Sequence, residues 1–189
     1  MDTNLAEQSD YELVKLALKN KDAFGHLVLR YHDALHRYLL RIGCASSEDA
    51  EDILQEVFIK TYLNLNDYDS RLKFSSWIYR ITHNEAVNFF YKHKNKPRAA
   101  GSEAELFVMK NIPADDKLID NIDREINSQV VQGAMSKLKD EHREILILKY
   151  WENRSYEDIS DILQKPSGTI ATLIHRAKAQ LKDNLTNPN

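Results

Sequence analysis

The chain has 189 residues, with 26 Lys or Arg against 29 Asp or Glu and a formal net charge of −3. That length holds one large domain or two small ones, and scarce glycine (5) and proline (4) beside many long side chains favour an all-α protein. A single cysteine, Cys44, excludes an intrachain disulfide or a cysteine-rich zinc site, no apolar run approaches the ~20 residues that span a bilayer, and the acidic start MDTNLAEQSDYEL lacks the core of a signal peptide. The expectation is a soluble, cytoplasmic protein with no membrane insertion of its own and no cofactor.

Ser9–Asp10–Tyr11–Glu12 forms a capping box that opens a short helix to about Lys19. Phe24, Leu27, Tyr31, Leu35, Tyr38, Leu39 and Ile42 follow at three- and four-residue steps, predicting a long amphipathic helix that ends near Gly43. Ser46 or Ser47 caps a third helix carrying Ala50, Ile53, Leu54, Val57, Phe58 and Thr61. Asn64 to Arg71 is rich in turn formers, and Ser75 or Ser76 begins a fourth helix with Trp77, Ile78, Ile81, Val87 and Phe90. These helices share a core, giving a first domain over 5–95.

Residues 96–127 lose this regularity, with Pro97, Gly101 and Pro113 marking a flexible linker in which Glu103–Lys110 is a candidate short helix. A second domain over 128–185 follows, with helices over Ser128–Leu138 and Glu141–Trp151 and then two more joined by a turn. Ser155 and Asp158 resemble a capping box, and Ile159, Ile162 and Leu163 share a face. Gln164–Lys165–Pro166 breaks the pattern, and Ser167 is placed as the N-cap of the last helix. Ile170, Leu173, Ile174, Ala177 and Leu181 form its buried stripe. Thr169, Thr172, His175, Arg176, Lys178 and Lys182 face outward. From Lys165 to Lys182 there are four Lys or Arg and no Asp or Glu. A helix-turn-helix whose outer face carries cations and hydroxyls suits a DNA major groove and its flanking phosphates.

Charge is polarised along the chain. Glu48, Asp49, Glu51, Asp52 and Glu56 make an acidic block, and Arg80, Lys92, Lys94, Lys96 and Arg98 a basic stretch interrupted by Glu85 alone. His32 and His36 stand at the i, i+4 spacing of zinc hydrolases, but with Asp33 in place of the catalytic Glu and no third ligand evident. No metal site is assigned.

Two blocks carry a family resemblance. Asp52–Phe58 (DILQEVF) with Phe74–Asn84 (FSSWIYRITHN) resembles the promoter-melting domain of bacterial sigma factors. Leu138, Arg143–Trp151 (REILILKYW), Ser155–Ile159, Gly168–Ile170 and His175–Ala177 resemble their C-terminal domain. Their order and spacing look like the extracytoplasmic-function (ECF) group. The resemblance implies two small helical bundles joined by a linker, core RNA polymerase and promoter DNA as partners, and an anti-sigma factor as regulator. It implies no catalytic residues.

Under that resemblance, Glu51, Asp52, Gln55 and Glu56 dock on a basic coiled coil of polymerase, with Leu54 and Phe58 as an apolar anchor. Asn64, Asp67, Tyr68, Arg71, Lys73, Arg80, Asn84, Asn88 and Lys92 meet the −10 element by stacking, phosphate contact and base-edge hydrogen bonds. Ser167, Thr169, Thr172, His175, Arg176 and Lys178 meet the −35 element. Relatives often carry cations near the positions of Ala171 and Leu173, which weakens the expected −35 contact. A stand-alone helix-turn-helix regulator is the alternative reading, but it leaves the first domain without a task.

Overall fold

The computed structural model describes residues 5–93 and 128–187, and within them every regular element is helical. Four helices build the first bundle: α1 (Asp10–Ala17), α2 (Asp22–Ile42), α3 (Ser47–Leu63) and α4 (Phe74–Lys92). Four build the second: α5 (Ser128–Ser136), α6 (Asp140–Leu146), α7 (Tyr156–Leu163) and α8 (Ser167–Thr186). Lys94, Lys96, Arg98 and the Glu103–Lys110 segment lie outside the described residues.

The caps explain most boundaries. Ser9 and Glu12 make the reciprocal bonds of a capping box, so α1 starts where the sequence says, although it stops at Ala17 rather than Lys19. Gly43 ends α2 at φ 121°, a conformation a Cβ would strain, and its N–H satisfies carbonyls of the last turn. Ser46, not Ser47, caps α3 by accepting from the Asp49 N–H at 3.0 Å. Two expected caps fail. α4 begins at Phe74 behind Lys73, and α8 has Ser167 as its first helical residue behind Pro166, neither with a side-chain cap. Pro166 explains the second shift, since its fixed φ and extended backbone lead straight into a helix.

The first core is built by Leu13, Leu27, Leu35, Tyr38, Leu39, Ile53, Leu54, Val57 and Ile78, all at most 2 % exposed. The second is built by Ile145, Ile147, Leu148, Ile159, Ile162, Ile170, Ile174 and Ala177. Each fully buried Leu or Ile contributes about 1.5–3 kcal/mol relative to exposure. After α6 the backbone widens into a π turn over Ile147–Trp151, closed by the Glu152 N–H on the Ile147 carbonyl at 3.0 Å. That register shift turns four consecutive apolar residues, Ile145–Leu148, all inward. In the helix-turn-helix, Gln164 adopts the left-handed conformation at φ 53° and the Ser160 hydroxyl donates to the Lys165 carbonyl. The turn is therefore made by Gln164 together with the proline.

The bundles also pack on each other. α4 lies against α7, and α2 against α6 and the π turn. This direct packing goes beyond the expectation of two bundles sharing only a tether.

Candidate functional site

Three surfaces hold the expected functional residues. On α3, Asp52, Gln55 and Glu56 are exposed and share one side. Glu51 is half-buried, with His32 Nε2 at 3.1 Å and His36 Nε2 at 3.5 Å from its two oxygens, so it ties α3 to α2. Hydrogen bonding to Asp33, opposed by burial and reinforced by Glu51, holds the His32 pKa above the usual 6.5. These contacts are ordinary pairs, and among the described residues no group of three or more metal-ligating side chains has the geometry of a metal site. Leu54 is a correction: at 1 % exposed it belongs to the core and anchors nothing outside. Phe58 is half-buried, its ring stacked on His32 at 6.4 Å. Periodicity missed Ile59 and Leu63, 53 % and 70 % exposed, which continue the Gln55 side of α3 at four-residue steps. Their signal was there, because an apolar residue outside the core stripe has no internal partner.

The second surface is the loop after α3 and the outer face of α4. The loop is tightly organised. Asn64 Nδ2 donates to the Lys60 carbonyl at 2.7 Å, and the Tyr68 hydroxyl donates to the Leu72 carbonyl at 2.6 Å. The Tyr68 ring packs at 5.5 Å on Phe74 and 5.4 Å on Trp77, so it serves the aromatic cluster in this state. Arg71 folds back on Asp69 at 2.7 Å, and its hydrogen bonds hold the Asp69 carboxyl at about 2. Asp67 is exposed. Lys73 reaches Asp158 of α7. On α4, Asn84, Asn88 and Lys92 form an exposed strip at four-residue steps, with Arg80 half-buried at its start. Phe74 and Trp77 are core, Tyr79 is fully buried, and Tyr91 is 80 % exposed. Val87 and Tyr91 flank an open groove of about 320 Å³, shared with His83 and with Asp140 and Glu144 of α6.

The third surface is α8. Ser167, Thr169, Thr172, His175 and Arg176 are exposed along it. The Thr172 hydroxyl donates to the Gly168 carbonyl at 3.0 Å. Lys178 is half-buried and lies 5.5 Å over the Tyr150 ring, a contact that spacing within α8 does not reveal. Leu173 is buried while Ala171 is exposed, so only Ala171 stands at the outer face. A charge at Leu173 would point into the core.

Comparison with known proteins follows this division. Residues 27–96 match the family model for Sigma-70 region 2, and residues 128–181 match Sigma-70, region 4. The ECF RNA polymerase sigma factor SigW of Bacillus subtilis is 34% identical over 172 residues, spanning 88% of this chain and 90% of its own length. The structure of CnrH in complex with the cytosolic domain of CnrY has the same fold, with TM-score 0.69 and 22% identity over 95% of this chain and 98% of that one. The sigma factor RpoE of Bartonella quintana, crystallised with the anti-sigma factor NepR, matches with TM-score 0.62 and 20% identity over 88% of this chain and 98% of that one.

Proposed function

This chain belongs to the ECF sigma factors of the sigma-70 family, and on that premise we propose that α3 docks it on core RNA polymerase while α4 and α8 meet the −10 and −35 elements of its promoters. The working units are a first domain over 5–95, a linker over 96–127 and a second domain over 128–185. The protein acts in the cytoplasm, where polymerase and DNA are, and lends specificity without chemistry of its own. An anti-sigma factor is the natural partner of its inactive form, a reading supported by the Bartonella protein, whose structure is a complex with the anti-sigma factor NepR. Among the described residues no helix is long and apolar enough to cross a membrane.

The observation that carries the docking assignment is the exposed pair Asp52 and Glu56, one turn apart with Gln55 beside them. Two carboxylates at that spacing pair with arginines and lysines on a basic helix. At −10, the exposed amides of Asn84 and Asn88 hydrogen-bond base edges and Lys92 holds a phosphate. At −35, Thr169, Thr172, His175 and Arg176 supply hydroxyl, imidazole and guanidinium groups to the major groove. A regulator acting without polymerase would have no use for a region 2 domain.

The test is Asp52→Arg with Glu56→Arg. Both side chains are exposed, so the fold should survive, while like charges then face the clamp and cost several kcal/mol of affinity. Native circular dichroism with undiminished binding to core polymerase would remove α3 from the interface.

A further inference from the structure

His32 meets a carboxylate at each of its ring nitrogens. Nδ1 lies 3.0 Å from Asp33, the next residue of α2, and Nε2 lies 3.1 Å from Glu51 of α3. An ionised carboxylate only accepts, so both contacts are satisfied together by the imidazolium and not by the neutral ring. His36, one turn on, has its Nε2 3.5 Å from the other Glu51 oxygen and 3.0 Å from the Ser47 hydroxyl. The rings of His36, His32 and Phe58 form one stack, with neighbours 6.1 and 6.4 Å apart and tilted by 10° and 11°. This stack touches the docking face of α3 twice, at the Glu51 carboxylate and at the Phe58 ring.

We propose that His32 and His36 are positioning residues of that face: a proton on the pair holds Glu51 against α2, and its loss frees Glu51 for the basic helix of polymerase, so docking tightens as pH rises. The inference rests on the assignment of α3 to polymerase. A neutral His32 has one N–H to donate. Asp33 is its neighbour in the chain and stays close, so Glu51, on another helix, is the partner given up. Two protons on the pair are disfavoured, because like charges on rings 6.1 Å apart repel. A basic helix arriving at α3 competes for Glu51 and repels the imidazolium beside it, so docking expels about one proton.

The groups around the pair set the pH window. Hydrogen bonding to Asp33, opposed by burial and reinforced by Glu51, holds His32 above 6.5, and His32 in turn holds the Asp33 carboxyl below its ordinary 3.8. Arg37 and His36 act on Asp33 in the same direction. Charged groups on the other elements packed around α2 are engaged elsewhere. Asp10 of α1 meets Arg30 and Tyr31, Glu144 of α6 meets Tyr38, and Glu152 after the π turn meets Arg41. On α4, His83 meets Glu144 and Glu85 meets Lys60. The hold on Glu51 is therefore complete below pH 6.5 and is lost as pH rises through the folded His32 pKa.

Binding of the full chain to core polymerase across pH tests this. Wild-type affinity should fall roughly tenfold from about pH 8 to about pH 6, the effect of a one-unit change in one pKa on docking. His32→Gln with His36→Gln should remove most of that fall, with helicity by circular dichroism unchanged. Asp33→Asn, at an exposed position, keeps both imidazoles and should move the midpoint of the fall to lower pH. A wild-type affinity indifferent to pH, an equal fall in the doubly substituted chain, or a midpoint unmoved by Asp33→Asn would each overturn the proposal. NMR titration of the free chain reads the Glu51 contact without polymerase. Glu51→Gln should lower the His32 pKa, and an unmoved value would overturn the proposal by itself. A chain whose His32 responds to Glu51→Gln yet binds no core polymerase at any pH would instead overturn the polymerase reading, and with it the proton linkage of docking.

Discussion

Asp158 shows how much one side chain carries. Its carboxylate accepts from the Ser155 N–H as the reciprocal half of a capping box, and the same group takes Lys73 and Ser76 from the other bundle. Burial pushes its pKa up, but Lys73 and the Ser155 bonds outweigh that and leave it below the ordinary 3.8. A depressed carboxyl stabilises the fold above its unfolded pKa and loses that contribution as pH falls through the folded one. The acid limb therefore lies below about pH 4. Asp158→Ala should cost about 1–2 kcal/mol in urea unfolding at neutral pH, through the carboxylate's lost bonds to the Ser155 N–H, Lys73 and Ser76. Asp158→Asn should flatten the acid limb, and an unchanged limb would assign it to other carboxylates. His32 behaves oppositely, because a raised imidazole stabilises below pH 6.5 and loses that contribution as pH rises through its folded pKa. NMR titration should place His32 above 6.5, and Asp33→Asn, which removes the largest cause, should lower it.

At the scale of elements, helices were legible wherever their signals are local. The stripes of α2 and α8 and the capping boxes at Ser9 and Ser155 depend on residues three or four apart, so spacing alone gives them. The start of α4 departs from its local signal, because Ser76 looks like a cap in sequence while its hydroxyl is buried and donates to Asp158 across the seam. Glu51 belongs by sequence to an open acidic row, whereas in the fold its two oxygens face the imidazoles of His32 and His36 on α2. On α8 the outer face is poor in cations, and Arg176 is the exposed one nearest the turn. The log–log salt dependence of duplex binding falls by about 0.9 per phosphate neutralised. Ala171→Arg, at an exposed site, should steepen that slope by about one contact, and Arg176→Ala should flatten it by as much. Titration of −35 duplex across salt concentrations reads both. A slope indifferent to either change would put another face of α8 on DNA.

At the scale of the whole molecule, the seam couples bundles that the sequence presents as separate. Trp77 lies in the first bundle and Trp151 at the π turn of the second, so single-tryptophan variants report each one. Their urea midpoints should coincide in the packed chain and separate when Glu152→Lys breaks its pair with Arg41 across the seam. Separate midpoints before that substitution would mean the bundles unfold independently. Helical class, the order of elements, the helix-turn-helix and the acidic face of α3 were all present in the linear chain, because each follows from spacing within one or two turns or from the residues that cap them. The pairing of Glu144, Glu152 and Asp158 with Tyr38, His83, Arg41, Tyr79, Lys73 and Ser76 was not, because it joins residues 61 to 111 positions apart. No periodicity relates such positions. An exposed carboxylate and a buried, doubly hydrogen-bonded one look alike in sequence, and they become different only when a second helix arrives to remove the water.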